Sequence, residues 1–181
     1  MNADNKILFA GPVGAGKTSA IQAISDFPPV STDVHASEDE RTHEGKTTTT
    51  VSMDYGHIEL DDGIGVHLYG TPGQRRFSHM WDILTQGGLG LVLLVDNSRE
   101  DPLADLTFYL EAFADFVVRT AVVIGVTHTD MARQPKMDDY LEHLASHHLS
   151  HPVFEVNATH RNDIVLLVQT LLACLQTRPR P

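Results

Sequence analysis

The chain contains the run Gly11-Pro12-Val13-Gly14-Ala15-Gly16-Lys17-Thr18, which matches the spacing G-x-x-x-x-G-K-[ST] of a phosphate-binding loop. The apolar residues 6–10 precede it directly, so a buried strand is predicted to lead into the loop. A helix is predicted to follow, which would turn backbone N–H groups and the positive end of the helix dipole towards one point. This arrangement favours phosphate binding, and the alternative is a glycine-rich turn that only links a strand to a helix.

The loop supplies the first candidate binding residues. Lys17 would neutralise the β- and γ-phosphates of a nucleotide, and the hydroxyl of Thr18 is a suitable ligand for Mg²⁺. We therefore expect a bound nucleotide with Mg²⁺ as cofactor. The residues expected to contact the nucleotide here are Val13, Gly14, Ala15, Gly16, Lys17, Thr18 and Ser19.

Composition limits the classes of protein that fit. The 181 residues, of which 41% are apolar, are predicted to form a single domain over residues 1–181. A formal net charge of -11 argues against nucleic acid and anionic membranes as partners. Cys174 is the only cysteine, and the sequence shows no signal peptide, membrane span or lipidation motif. We expect a cytoplasmic protein without a stable membrane anchor of its own.

Apolar runs and helical spacing alternate along the chain, which predicts an α/β fold with helices on both faces of a mainly parallel sheet. A turn at residues 60–63 predicts one antiparallel edge strand. Helices are expected over residues 101–118 and 163–175, and a long polar loop over residues 26–49. The six predicted strands cover residues 6–10, 50–60, 64–69, 90–95, 121–126 and 152–156.

Four polar segments follow or flank predicted strands, at the edge where open α/β sheets bind ligands. They are Lys46-Thr47-Thr48-Thr49-Thr50-Val51-Ser52-Met53-Asp54-Tyr55-Gly56, Tyr69-Gly70-Thr71-Pro72-Gly73-Gln74-Arg75-Arg76-Phe77, Val126-Thr127-His128-Thr129-Asp130 and Val156-Asn157-Ala158-Thr159. A phosphate loop alone is compatible with kinases, ATPases and GTPases, and the order of these four segments after the loop helps to distinguish among them.

Taken together, these segments resemble the Ras-like small GTPases. Within that group the chain looks most like the bacterial branch that contains the gliding-motility GTPase MglA and the GTPases encoded beside roadblock-domain proteins, and the resemblance covers nearly the whole chain. The resemblance implies the small-GTPase version of the P-loop NTPase fold and a switch that binds and hydrolyses GTP. It also implies a roadblock-domain protein as effector or activating partner, and a role in bacterial polarity, motility or signalling.

The resemblance assigns roles to the two switch segments. Thr50, with Thr49 as the alternative, would ligate Mg²⁺ and sense the γ-phosphate, although the threonine run also suits the start of an edge strand. The N–H of Gly73 would sense the same phosphate. Gln74 would orient the attacking water and is the candidate catalytic residue.

Base recognition is expected from the two later segments. The carboxylate of Asp130 can accept hydrogen bonds from the ring N–H and the exocyclic amine of guanine, whereas adenine offers no such pair of donors. The backbone N–H of Ala158 would donate to the guanine O6. The remaining expected contacts in these segments are Thr127, His128, Asn157 and Thr159.

Three positions depart from the family pattern. Thr127 and His128 replace Asn-Lys or Thr-Lys, so an imidazole would have to cover the base. Gly70 replaces the aspartate that holds Mg²⁺ through water, and Asp54 or another nearby carboxylate is a possible substitute. Val13 replaces a glycine and predicts slow turnover. A pseudo-GTPase that holds nucleotide without turnover and an ATP-dependent kinase or ATPase are therefore alternative interpretations.

Two further features have more than one interpretation. His143 and His147 lie four residues apart, close to His148 and His151, so they form either a metal site or a polar helix face. Trp81, with Phe77 and Met80, forms either an exposed patch for a partner or ordinary packing beneath the second switch.

Overall fold

The described part of the chain contains seven β-strands. A computed structural model describes residues 5–28, 30–36, 49–60 and 63–177, without the side chains of residues 31–36, 49–52, 78 and 79. The strands are β1 (Lys6–Ala10), β2 (Val30–Ala36), β3 (Thr49–Glu59), β4 (Gly65–Gly70), β5 (Gly88–Asp96), β6 (Ala121–Thr127) and β7 (Val153–Glu155).

Helices connect most of these strands. A 3-10 helix (Arg75–Met80) leads into the second α-helix of the set. The α-helices are α1 (Lys17–Ile24), α2 (Trp81–Thr85), α3 (Pro102–Ala112), α4 (Ala114–Arg119), α5 (Met137–Ser146) and α6 (Arg161–Thr177).

The strands form one sheet in the order β2-β3-β4-β1-β5-β6-β7. β1 pairs in parallel with β4 and β5, and the parallel pairing continues through β6 to β7. β3 runs antiparallel to both of its neighbours. The predicted α/β fold with a mainly parallel sheet is therefore confirmed, and it is consistent with a P-loop NTPase.

The sheet has a seventh strand that the sequence analysis placed in a loop. β2 lies at the edge of the sheet and pairs with β3, with Val30 opposite Tyr55 and Ala36 opposite Thr49. The prediction of a loop throughout residues 26–49 was therefore wrong for Val30–Ala36. An edge strand with polar residues lacks the apolar run that marks a buried one, which explains the error. Residues 61 and 62 of the predicted hairpin turn lie outside the described part of the chain.

Helices cover both faces of the sheet, as predicted. Successive residues of β1 point to opposite faces, so Ile7 and Phe9 pack in one apolar cluster and Leu8 and Ala10 in the other. The first cluster receives α1 and α6, and the second receives the helices from α2 to α5. The helix predicted over residues 101–118 is divided at Phe113, which ends α3 and precedes α4. Both faces are covered, so the carboxyl edge of the parallel strands is left to bind ligands.

Candidate phosphate and base site

The phosphate loop begins where β1 ends. Gly11, Gly14 and Gly16 have φ values of 139°, 88° and 90°, in a region that disfavours residues with side chains. A Cβ on Gly11 would lie 2.1 Å from the carbonyl oxygen of Leu94, so the loop also approaches β5 closely. These glycines let the backbone turn tightly between β1 and the first turn of α1.

Lys17 lies buried beneath the loop. Its ammonium group donates to the carbonyl oxygens of Gly11 at 2.8 Å and Pro12 at 2.7 Å. Burial lowers the pKa of Lys17 to about 8, and the nearby charge of Asp54 opposes that shift. A phosphate ligand would compensate the desolvation of this ammonium group.

The hydroxyl of Thr18 meets a carboxylate from β3. Thr18 Oγ1 donates to Asp54 Oδ2 at 2.5 Å. Asp54 lies opposite Gly70 in the antiparallel pairing of β3 with β4. A Cβ at position 70 would come within 3.1 Å of Asp54 Oδ2, so the glycine leaves room for this carboxylate. The carboxylate of Asp54 therefore lies next to position 70, where this chain has a glycine in place of the aspartate of the family pattern.

The backbone of Thr50 pairs with His35 at the outer side of β3. The side chains of Thr49 and Thr50 lie outside the described part of the structure. Their predicted contacts with Mg²⁺ and the γ-phosphate therefore stay predictions.

The segment after β4 lies directly against the phosphate loop. A Cβ on Gly73 would be 2.7 Å from both Lys17 Nζ and Val13 N, so only glycine allows this approach. Two aromatic side chains hold the segment from behind: Tyr109 donates its hydroxyl hydrogen to the carbonyl of Gly73 at 2.8 Å, and Trp81 donates to the carbonyl of Pro72 at 3.2 Å. Burial is the main cause that raises the pKa of Tyr109, to about 12, so it is a hydrogen-bond donor at neutral pH.

The residues that follow Gly73 lie nearer the surface. Gln74 is exposed. Arg75 forms an ion pair with the buried Asp105 of α3 at 2.8 Å, and its guanidinium stacks over Phe108 at 4.0 Å from the ring centroid. Arg99 binds the second oxygen of the same carboxylate at 2.5 Å. Both described contacts of Arg75 are thus with α3.

Residues after β6 and β7 meet the other end of the phosphate loop. Thr127 is buried, and its hydroxyl lies 3.2 Å from the carbonyl oxygens of Ala15 and Val95. Ala158 lies so close to the loop that a Cβ on Gly16 would be 2.5 Å from its own Cβ. The two segments that the sequence analysis assigned to base recognition therefore converge on the phosphate loop.

The side chains around this convergence form an open rim. Asp130 is exposed two residues after His128. Asn157 Oδ1 accepts hydrogen bonds from the backbone N–H of Thr159 at 3.0 Å and from its hydroxyl at 2.7 Å, while Asp163 accepts from the N–H of Asn157 at 2.8 Å. These hydrogen bonds stabilise the turn that contains Ala158.

The structure shows the surroundings of the two features that have more than one interpretation. The rings of His143 and His147 lie 4.8 Å apart, and His143 Nε2 is 2.7 Å from Thr107 Oγ1. Within the described ranges, no group of three or more metal-binding side chains could hold a metal ion. Trp81 and Phe77 are buried, so these two side chains do not contribute to an exposed patch, and Met80 is half-buried.

Sequence reasoning missed three acidic or phenolic residues near the site: Asp96, Asp105 and Tyr109. Asp96 is the last residue of β5 and comes directly after an apolar run, which is the same signal that identified the residues at the end of β6. Asp105 and Tyr109 lie on one side of α3, where helical periodicity indicated packing only. Nothing in the sequence indicates the contacts of Asp105 with Arg75 and of Tyr109 with Gly73.

The fold and the glycine-rich loop define this chain as a nucleotide-binding protein of the P-loop type. The chain belongs to the family described as "Conserved hypothetical ATP binding protein", whose model matches residues 9–178. None of the curated proteins matches the chain. Among the described residues, no helix has the length and apolar character needed to cross a bilayer.

Proposed function

We propose that this protein is a molecular switch that binds GTP and hydrolyses it slowly to GDP and phosphate. The observation that carries the proposal is the approach of Gly73 to the phosphate loop, within reach of both Lys17 and Val13. A γ-phosphate above Lys17 would contact the backbone at Gly73. The segment that begins there would therefore differ between the triphosphate and diphosphate states.

Magnesium fits the oxygen groups at the start of α1. Thr18 and Asp54 place a hydroxyl and a carboxylate oxygen side by side, and Mg²⁺ prefers oxygen ligands. In this proposal Asp54 supplies the carboxylate that Ras-like proteins take from the position of Gly70, and Thr50 adds a hydroxyl. When bound, Mg²⁺ neutralises charge on the β- and γ-phosphates.

Guanine is the base that the exposed rim suits best. Asp130 can accept two hydrogen bonds from guanine, and the backbone of Ala158 lies beside the phosphate loop, where it can donate to O6. The family description names ATP, and the replacement of the usual lysine by His128 is compatible with that base. An ATP-dependent P-loop enzyme is therefore the second candidate function.

Slow GTP hydrolysis is expected because three side chains near the proposed γ-phosphate position are not arranged for catalysis. Val13 is 57% exposed beside Gly73, where its bulk would crowd an attacking water or an incoming arginine. Gln74 is exposed, and Arg75 is held by Asp105. A partner would have to reposition these residues, and the resemblance points to a roadblock-domain protein in bacterial polarity, motility or signalling. A pseudo-GTPase that only binds nucleotide would show no turnover even with that partner.

Two measurements on the full chain distinguish these functions. The first is the identity of the nucleotide that co-purifies with the protein, together with calorimetric titration of GDP, GTP, ADP and ATP. We expect guanine nucleotides in the preparation and tighter binding of GDP than of ADP; equal or tighter binding of ADP would contradict the guanine assignment. The second is single-turnover hydrolysis of GTP with and without a candidate partner, in which no release of phosphate under either condition would favour the pseudo-GTPase.

A further inference from the structure

A carboxylate and an imidazole meet at the carboxyl edge of the sheet. Asp96 ends β5 and Thr127 ends β6, and the two residues are register partners in the parallel pairing of these strands. His128 follows Thr127 directly. The register therefore places Asp96 beside the segment that we assign to base recognition, although the two are 32 residues apart in sequence.

Asp96 is only 8% exposed, and its carboxylate has several contacts. Oδ1 accepts hydrogen bonds from the backbone N–H of Ser98 at 2.9 Å and from its hydroxyl at 2.6 Å. The same oxygen lies 3.1 Å from His128 Nδ1. Oδ2 is directed towards the phosphate loop, because a Cβ on Gly14 would lie 3.7 Å from it. The carboxylate thus links the loop after β5, the imidazole and the phosphate loop.

His128 has a backbone conformation that residues with side chains rarely adopt, with a φ of 56°. Its Nδ1 lies 3.1 Å from both Asp96 Oδ1 and Thr127 Oγ1. A carboxylate can only accept, so the tautomer with its hydrogen on Nδ1 is the one that would donate to Asp96. The imidazole side chain is 34% exposed, so part of the ring stays open to solvent. Residues held in sparsely populated backbone regions cluster at functional sites.

We propose that Asp96 is a positioning residue that fixes the imidazole of His128 as a platform on which the nucleotide base stacks. This inference rests on the proposed function, because it places the base between His128 and the rim that contains Asp130. A contact at Nδ1 favours one orientation of the ring, so less conformational entropy would be lost when the base binds. Stacking on a fixed ring also accepts any purine, whereas Asp130 selects among them.

The simpler explanation is that Asp96 only closes the turn after β5 through its bonds to Ser98. The two explanations differ in which ligands are affected. A turn that supports the phosphate loop would influence every phosphate ligand, whereas a base platform influences only ligands that have a base. Inorganic tripolyphosphate, which has no base, is therefore the reference ligand.

The experiment compares Asp96→Ala, His128→Ala, the double variant and Ser98→Ala in the full chain with Mg²⁺ present. We expect each of the first two to weaken GDP binding by between about fivefold and a hundredfold, the range for loss of an aromatic platform under a base, with tripolyphosphate binding unchanged. The double variant should bind GDP no more weakly than His128→Ala, since both changes remove the same platform. Ser98→Ala removes one bond to the same carboxylate oxygen and should bind GDP like the parent.

Equal loss of GDP and tripolyphosphate binding in Asp96→Ala, or effects of the two single changes that multiply in the double variant, would overturn the inference. If Asp96→Ala does not fold, His128→Phe and the nuclear magnetic resonance of His128 in the parent protein replace it. His128→Phe should keep most of the affinity for GDP, and the nitrogen shifts should show a protonated Nδ1. An Nδ1 without a hydrogen would contradict the role of Asp96. GDP binding by His128→Phe that is as weak as that of His128→Ala would contradict the role of the ring.

The platform can be tested even if the guanine assignment fails. If the parent binds ADP more tightly than GDP, the guanine assignment fails, and the same four variants are then titrated with ADP. A loss of ADP binding without loss of tripolyphosphate binding would support the platform. Unchanged ADP binding would overturn it.

Discussion

The two halves of the candidate site are built in different ways. The phosphate half consists of consecutive residues from Gly11 to Thr18, which are held by buried contacts of Lys17 and by the approach of Gly73. The base half is assembled from separate segments after β5, β6 and β7, and its proposed selective residue, Asp130, is exposed. A contiguous motif fixes its own geometry through local backbone conformation, whereas a composite rim depends on strand register. The two halves should therefore respond differently to mutation.

The largest effect is expected in the phosphate half. Lys17→Ala removes the buried ammonium group and should weaken GDP and tripolyphosphate binding to the same extent, by about a thousandfold, because a phosphate would be left without its charged partner. Calorimetric titration of both ligands measures this. Lys136→Ala, at an exposed lysine before α5, is the matched control and should bind like the parent. Loss of GDP binding alone would show that Lys17 does not act on phosphate.

The second effect separates the halves. Asp130→Ala should weaken GDP binding by about a hundredfold, because two hydrogen bonds to a charged acceptor are lost, and should leave tripolyphosphate binding unchanged. Competition between GDP and ADP measures the selectivity, which should disappear. Asp138→Ala, an exposed acid in the first turn of α5, is a suitable control. Retained preference for GDP in Asp130→Ala would remove this residue from the base site.

The third effect concerns the reaction and not binding. Gln74→Leu should slow GTP hydrolysis by about tenfold or more, since water is no longer oriented, while GTP affinity stays within about twofold. Single-turnover release of phosphate is the measurement, with Gln169→Leu on the exposed side of α6 as the control. Hydrolysis at the parental rate, with and without an activating partner, would contradict the catalytic role of Gln74.

The smallest effect tests how the segment that contains Gly73 is held against the phosphate half. Tyr109→Phe keeps the ring beside Trp81 but removes the hydrogen bond to Gly73, so the free energy of unfolding should fall by about 1 kcal/mol. The ratio of GTP to GDP affinity should also change, by about threefold, because the bond acts on the peptide that would face the γ-phosphate in the proposed function.

Tyr140→Phe is the matched control for this change. It removes a similar bond, to Asn97 Oδ1 at 2.7 Å, away from Gly73. Urea unfolding should show a comparable loss of stability in both variants. If both variants change the ratio of GTP affinity to GDP affinity equally, the hydrogen bond of Tyr109 to Gly73 does not act on the γ-phosphate.

The same contrast explains how much the sequence could predict. The strand, the loop and the first helix of the phosphate half follow from consecutive residues, so local pattern was sufficient. Asp96 was missed because its contact with His128 exists only once β5 and β6 are aligned in register. β2 was missed because a polar edge strand has no apolar run, and the break at Phe113 was missed because the apolar spacing continues through it.

The central claim is that the backbone of the loop between β1 and α1 binds phosphate. The most direct measurement is the ¹H–¹⁵N spectrum of the full chain before and after addition of GDP with Mg²⁺. We predict that the largest amide shift changes fall on residues 13–18, and that tripolyphosphate reproduces them, while those of residues 128–130 appear only with GDP. Unchanged amide signals from residues 13–18 at saturating GDP, with no heat on titration, would contradict the claim.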